Sequence, residues 1–140
     1  MLKELFPTSI FGAPATESDL ANVELILNVT IPEQLRALYL ECDGFREDRG
    51  NAKYLLSLTN EDYIGSLVST TTFFWTEFTR PDLTAFIFFG SSSGDEAWGI
   101  DWRNGDRVIA YHHRMEQEYE ERETNIIDLY RADYARYDDL

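Results

Sequence analysis

At 140 residues the chain has the length of one domain, and the usual area scaling gives a folded surface of ~7,500 Å² with ~68% of the unfolded surface buried, so no metal or disulfide is needed to hold it. With 26 Asp and Glu against 12 Lys and Arg the net charge is -14, which argues against direct binding to nucleic acid or to an anionic membrane. The 44% apolar and 14% aromatic content excludes a disordered acidic tail, so the acidity belongs to a folded surface.

A single cysteine, Cys42, excludes an intramolecular disulfide and a multi-cysteine zinc site, and fits a reducing compartment. The stretch Met1 to Pro7 lacks a secretory apolar core and no segment is long and apolar enough to span a bilayer, so the expected location is the cytoplasm. The Asn28-Val29-Thr30 sequon is then inert.

Neither repeats nor a linker divide the sequence, so residues 1–140 are read as one domain. Thr16 can cap a first helix, with Glu17 and Asp19 in its first turn and Leu20, Val23 and Leu27 on one face, running to about Asn28. Pro32 at a first helical position opens a second helix with Leu35, Leu38, Tyr39 and Cys42 in register, ended by Asp43-Gly44 with Gly44 able to take a left-handed cap. Cys42 on that stripe reads as a core thiol. After a polar loop from Arg46 to Lys53, Tyr54, Leu56 and Leu58 alternate as on a strand. Asn60-Glu61-Asp62 can cap a short helix carrying Ile64, Leu67 and Val68, whereas the Thr-rich, aromatic stretch from Thr70 to Phe78 fits strand or loop and is left unassigned.

Phe86 to Phe89 is apolar on both faces, as in a central strand covered on both sides. Trp98, Ile100 and Trp102 alternate with Gly99 and Asp101, Asn104-Gly105 supplies a hairpin turn, and Val108 to Tyr111 returns antiparallel. The charged run Arg114 to Glu123 reads as a solvated loop or helix face. Thr124 or Asn125 can cap a last helix bearing Ile126, Leu129, Tyr130, Tyr134 and Tyr137. The fold class is therefore α+β, a mostly antiparallel sheet packed with N-terminal helices and a C-terminal helix.

Gly90-Ser91-Ser92-Ser93-Gly94 matches the G-x-S-x-G of serine hydrolases, with His112 and His113 downstream. That motif needs a helix directly after the serine, and Asp95 to Ile100 reads instead as turn and strand, so the segment is taken as a Ser/Gly turn and no catalytic residue is assigned. His112 and His113 with Asp95, Glu96 and Asp101 could be recast as a metal cluster, but adjacent histidines on a strand point to opposite faces, so no metal site or cofactor is assigned. Trp98 and Trp102 are taken as core rather than as a stacking platform for bases.

In order along the chain, Ala15-Thr16-Glu17-Ser18-Asp19-Leu20, Glu24, Ile31-Pro32, the Leu38 to Phe45 segment with its Asp43-Gly44, Phe88-Phe89-Gly90, Gly94-Asp95, Ile100-Asp101, Val108 to Tyr111 and Asn125-Ile126-Ile127 resemble the landmarks of the SUKH superfamily, bacterial relatives of the fungal Smi/Knr cell-wall-assembly regulators. The resemblance covers about residues 11 to 130; Ile31 stands where Leu is usual, and Thr70 to Phe78 matches no pattern of the family. It implies a SUKH-like fold and a non-enzymatic protein-binding function. The expected role is that of an immunity protein that binds and neutralises a cognate bacterial toxin, basic and directed at nucleic acid, whose cleft the acidic surface would occupy. The alternative is a regulatory scaffold module like the fungal relatives.

The family transfers no contact set, so the expected partner-binding residues rest on charge in predicted loops: Glu47, Asp48, Asp95, Glu96, Glu116, Glu118, Glu120 and Glu121. Phe45, Trp75 or Tyr119 is the candidate aromatic anchor. Oligomeric state is not specified by the sequence.

Overall fold

A computed structural model of the chain describes residues 1–47, 53–61, 65–91, 96–113 and 117–131. The order is α1 (Leu2–Leu5), β1 (Ile10–Phe11), α2 (Glu17–Leu27), α3 (Glu33–Glu41), β2 (Phe45–Arg46), β3 (Tyr54–Leu55), α4 (Leu67–Glu77), β4 (Phe86–Ser91), β5 (Ala97–Asp101), β6 (Val108–His112) and β7 (Glu118–Glu121). A last helix, α5, follows over residues 126–131. The strands form one antiparallel sheet in sequential order β1 to β7, which makes the α+β class expected from the sequence. The accessible surface, 7353 Å², is close to the value expected from chain length.

Capping chemistry sets the N-terminal helices. The Thr16 hydroxyl accepts the Asp19 N–H at 3.1 Å while the Asp19 carboxylate accepts the Thr16 N–H at 2.9 Å, and left-handed Asn28 ends α2 where the sequence placed its end. Pro32 sits just before α3 rather than inside it. Gly44 does take a left-handed φ of +99°, but extended Cys42 has already ended the helix.

Two cores flank the sheet. On one face Ile87, Phe89, Trp98, Ile100, Val108 and Ala110 meet Leu20 and Val23 of α2, Leu35 and Leu38 of α3, and Ile126, Leu129 and Tyr130 of α5. On the other, Phe86, Phe88, Ala97, Ile109 and Tyr111 pack with Phe74 of α4 and Leu83. This double cover accounts for the uninterrupted apolar run of β4. Cys42 is fully buried, and burial pushes its thiol up to about 11, in keeping with a core thiol.

The unassigned stretch from Thr70 is helical to Glu77, with Phe78 as the C-cap, in a helix that starts later than the Asn60 cap would place it. Ser66 caps α4, accepting the Ser69 N–H at 3.1 Å, and its own N–H reaches the Ser69 hydroxyl at 3.0 Å. Asp62 and Ile64 lie outside the described residues. Three consecutive threonines favour strand locally, but tertiary contacts use them as a helix. Strand β3 is only two residues long, so on the side away from β5 the strand β4 has no strand neighbour at Phe86 and Phe88, and α4 takes that edge. The Thr71 hydroxyl accepts the Phe88 N–H at 3.0 Å and donates to the Phe88 carbonyl at 3.4 Å; Trp75 Nε1 donates to the Phe86 carbonyl at 2.8 Å. Four helical residues rise ~6 Å and two strand residues ~6.8 Å, so side chains at i and i+4 of the helix match backbone groups at i and i+2 of the strand.

Three other segments depart from expectation. Leu55, Leu56 and Leu58 are all buried while Tyr54 is half-buried, because the chain leaves the sheet after Leu55 and Asp43 receives the Leu58 N–H at 2.8 Å. The β5–β6 hairpin forms as expected, but through two successive turns rather than a two-residue one: Asn104 N–H to Asp101 carbonyl at 3.2 Å, then Arg107 N–H to Asn104 carbonyl at 3.0 Å. Part of the charged run, Glu118–Glu121, is the terminal strand β7 rather than a loop or helix face, since Tyr119 packs on the sheet and the backbone pairs with β6. In α5 the Asn125 side chain caps by accepting the Ile127 N–H at 2.9 Å; Tyr134 and Tyr137 lie outside the described residues. Gln34 of α3 ties these pieces together, donating to the Gly105 and Thr124 carbonyls at 2.6 and 2.8 Å and accepting the Ile126 N–H at 2.7 Å.

Candidate functional site: the charged edge of the sheet

Register decides which charges meet. Ala97 pairs with Tyr111 and His112 with Glu118, so Glu96 precedes β5 level with His112 while Glu120 lies diagonally across from it. Successive strand residues alternate between faces, so Glu96, His112, Glu118 and Glu120 share one face, continuing the row of Trp98 and Ala110 toward solvent. His112 Nε2 is 3.2 Å from Glu120 Oε1 and its Nδ1 is 3.8 Å from Glu96 Oε2. Glu96 Oε1 accepts from Trp98 Nε1 at 2.8 Å and from Arg122 Nη1 at 3.4 Å. His113 points to the opposite face, its ring 5.5 Å from that of Phe74, as the alternation of a strand requires.

The opposite face of the same edge is organised by Arg107. Its guanidinium holds both oxygens of Glu121, with Nε at 3.2 and 3.1 Å and Nη2 at 3.0 Å, reaches Asp101 at 3.4 Å, and lies 5.2 Å over the Phe86 ring. The Tyr119 ring packs edge-on against Phe86 at 5.1 Å. A forked, ring-stacked arginine of this kind is a fixed element of the surface rather than a free cation.

The expected partner-binding residues divide accordingly. Glu118, Glu120 and Glu121 are exposed on β7 and Glu96 is half-buried beside them. Glu47 is not a surface charge: it is 6% exposed and 3.6 Å from Lys53 Nζ, itself buried, and its backbone N–H donates to the Lys53 carbonyl at 2.9 Å. Asp48, Asp95 and Glu116 lie outside the described residues. Among the aromatic candidates, Phe45 is core, stacked between Phe6 at 5.1 Å and Phe11 at 5.5 Å. Trp75 is committed to the β4 edge, and Tyr119 is half-buried next to Arg107. Charge alone did not reveal Arg107 and Arg122, the two cations that hold Glu121 and Glu96; only strand register could have paired them.

Gly90 and Ser91 end β4, paired antiparallel with β3, and the Ser91 hydroxyl donates to the Glu96 carbonyl, which is a strand-end arrangement rather than a strand-to-helix elbow. Ser92, Ser93 and Gly94 lie outside the described residues. Trp98 is fully buried, in keeping with a core role. Among the described residues no helix is long and apolar enough to cross a membrane.

A family model described as the SMI1 / KNR4 family (SUKH-1) matches residues 14–131, most of the chain and all of the elements from α2 to α5. No curated protein matches it.

Proposed function

Because the chain belongs to the SMI1 / KNR4 family (SUKH-1), which supports a protein-interaction domain, we propose that it is an immunity protein that binds and neutralises a cognate bacterial toxin in the cytoplasm without catalysing a reaction. Its partner is a basic toxin domain directed at nucleic acid. The observation that carries this reading is the terminal strand β7, which exposes Glu118, Glu120 and Glu121 at the end of the sheet on a chain of net charge -14. A basic cleft built for phosphates is steered toward such a surface, and charge complementarity of this kind raises association rates from ~10⁵–10⁶ toward 10⁸–10⁹ M⁻¹s⁻¹ at low salt.

Glu118 and Glu120 are the residues best placed to meet a partner cation, since Glu121 is already clamped by Arg107. The test is copurification with the product of the neighbouring gene, followed by association kinetics of the pair. The double variant Glu118→Lys, Glu120→Lys is expected to slow association at least about tenfold at low salt, and the wild-type rate is expected to fall steeply up to physiological ionic strength. A rate that ignores both salt and charge reversal would sink the proposal.

A further inference from the structure

The cluster around His112, which shares Glu120 with the proposed partner-facing edge, has a second chemistry. Glu96, His112 and Glu120 each offer one ligand atom, and these atoms all lie within 4.8 Å of one another. They come from three consecutive segments of the sheet, brought together by register and not by sequence proximity. We propose that Glu96, His112 and Glu120 form a binding site for one divalent transition-metal ion of the zinc class.

Ligands ~2.1 Å from a tetrahedral ion stand ~3.4 Å apart, close to the 3.2 Å between His112 Nε2 and Glu120 Oε1. Glu96 completes the set by a closure of ~1.4 Å from the 4.8 Å limit, within reach of a glutamate rotamer change. Trp98 Nε1 and Arg122 Nη1 both occupy its Oε1, while its Oε2 lies 3.8 Å from Nδ1, the ring nitrogen turned away from Glu120, so the imidazole must turn along with the glutamate to bring one nitrogen to both carboxylates. Ligating carboxylates are characteristically held by such outer hydrogen bonds, and here one donor is the indole of a fully buried Trp98. One imidazole nitrogen with two carboxylate oxygens suits zinc-class ions, whereas calcium and magnesium take oxygen sets alone. This set also avoids the obstacle that separates His112 from His113, because all three ligands stand on one face. With a fourth position open to water, the site is of the three-ligand type.

Zinc titrated into the full chain, prepared without a polyhistidine tag and stripped with chelator, is the direct test. Isothermal titration is expected to give one ion per chain, and cobalt as a surrogate is expected to give visible d–d bands of low-symmetry coordination. His112→Ala is expected to abolish both signals, and Glu120→Gln, at an exposed position, to weaken binding by ~10-fold or more, the loss typical even of an outer-shell partner. Glu118→Gln, which removes an acid from the same strand but no ligand, is expected to leave affinity within about twofold. Absence of a wild-type signal overturns the proposal, as does zinc binding that survives His112→Ala or falls equally in Glu118→Gln, since that pattern is diffuse attraction to an acidic surface.

Discussion

Thr71 makes a prediction that separates a side-chain cap of a sheet edge from ordinary packing. It is fully buried, and its hydroxyl accepts the Phe88 N–H at 3.0 Å on the side of β4 away from β5, where no strand pairs with Phe88. Thr71→Val keeps shape and volume but removes the acceptor, leaving a buried N–H unmade at ~1–3 kcal/mol. The carbonyl contact at 3.4 Å is longer and adds little. At ~2.1 cal/mol/K per residue, the unfolding entropy of 140 residues is ~0.3 kcal/mol/K, so a loss of ~2 kcal/mol lowers Tm by about 7 °C. Thr71→Ser keeps the hydroxyl and loses one methyl, ~0.8 kcal/mol by transfer. Urea unfolding with amide exchange distinguishes them: valine is expected to cost more than serine, and the Phe88 amide is expected to exchange faster only in the valine variant. If Thr71→Val unfolds within ~0.5 kcal/mol of wild type and the Phe88 amide stays as protected as before, α4 is not closing the edge.

Gly90→Ala places a methyl 2.2 Å from the Tyr54 carbonyl oxygen and 2.6 Å from the Tyr130 hydroxyl, so β3 must move away from β4; a loss of ~3 kcal/mol by denaturant melt is expected. Gln34→Ala removes the bonds to Gly105, Thr124 and Ile126 and is expected to cost ~1–2 kcal/mol, with the largest gain in amide exchange at Ile126. Burial, followed by the charge of Glu41, raises the Cys42 thiol from 9.0 to about 11. The unfolded chain therefore ionises first: the stability this group contributes is complete below pH ~9 and is lost as pH climbs toward 11. Between pH 9 and 10 this share falls by up to ~1.4 kcal/mol per pH unit; burial also raises the phenols of Tyr39 and Tyr130, whose unfolded counterparts begin to ionise toward 10.0, so the readout is the difference in slope from Cys42→Ala, and an equal slope in that variant would refute the assignment.

Helices α2, α3 and α5 and the β4 to β6 core were legible because local signals and tertiary need agree there: Thr16 and Asn125 cap, and the run Phe86 to Phe89 needs cover on both sides. Helix α4 was not. Thr70, Thr71 and Thr72 carry a strand preference, and what outweighs it is the open edge of β4, a nonlocal demand invisible in the window. Strand β7 was missed for a related reason: its period-two signal is one tyrosine among glutamates, and charged edge strands carry little apolar alternation. The hairpin partners were found, but the loop length was not, because Asp101 organises the turn through its side chain before Asn104-Gly105 is reached.

The same distinction governs the charged surface. Long-range steering depends on net charge, which the sequence states outright as -14, and it is indifferent to where each carboxylate points. Short-range recognition depends only on acids with capacity to spare, and much of the acidity has none. Asp43 holds the Leu58 N–H and the Ser57 hydroxyl, Glu24 the Ile31 N–H, Glu41 the N–H groups of Leu2 and Lys3, and Glu47 faces Lys53. These carboxylates add to the field while serving as caps and struts of the fold. Neutralising Glu24 or Asp43 should therefore act mainly on stability, whereas neutralising Glu118 or Glu120 should act on encounter with a partner and leave stability nearly unchanged, since exposed charges contribute ~0–1 kcal/mol. For the cationic partner proposed above, composition would set how strongly it is drawn in, while the register of β5, β6 and β7 would set which carboxylates meet it.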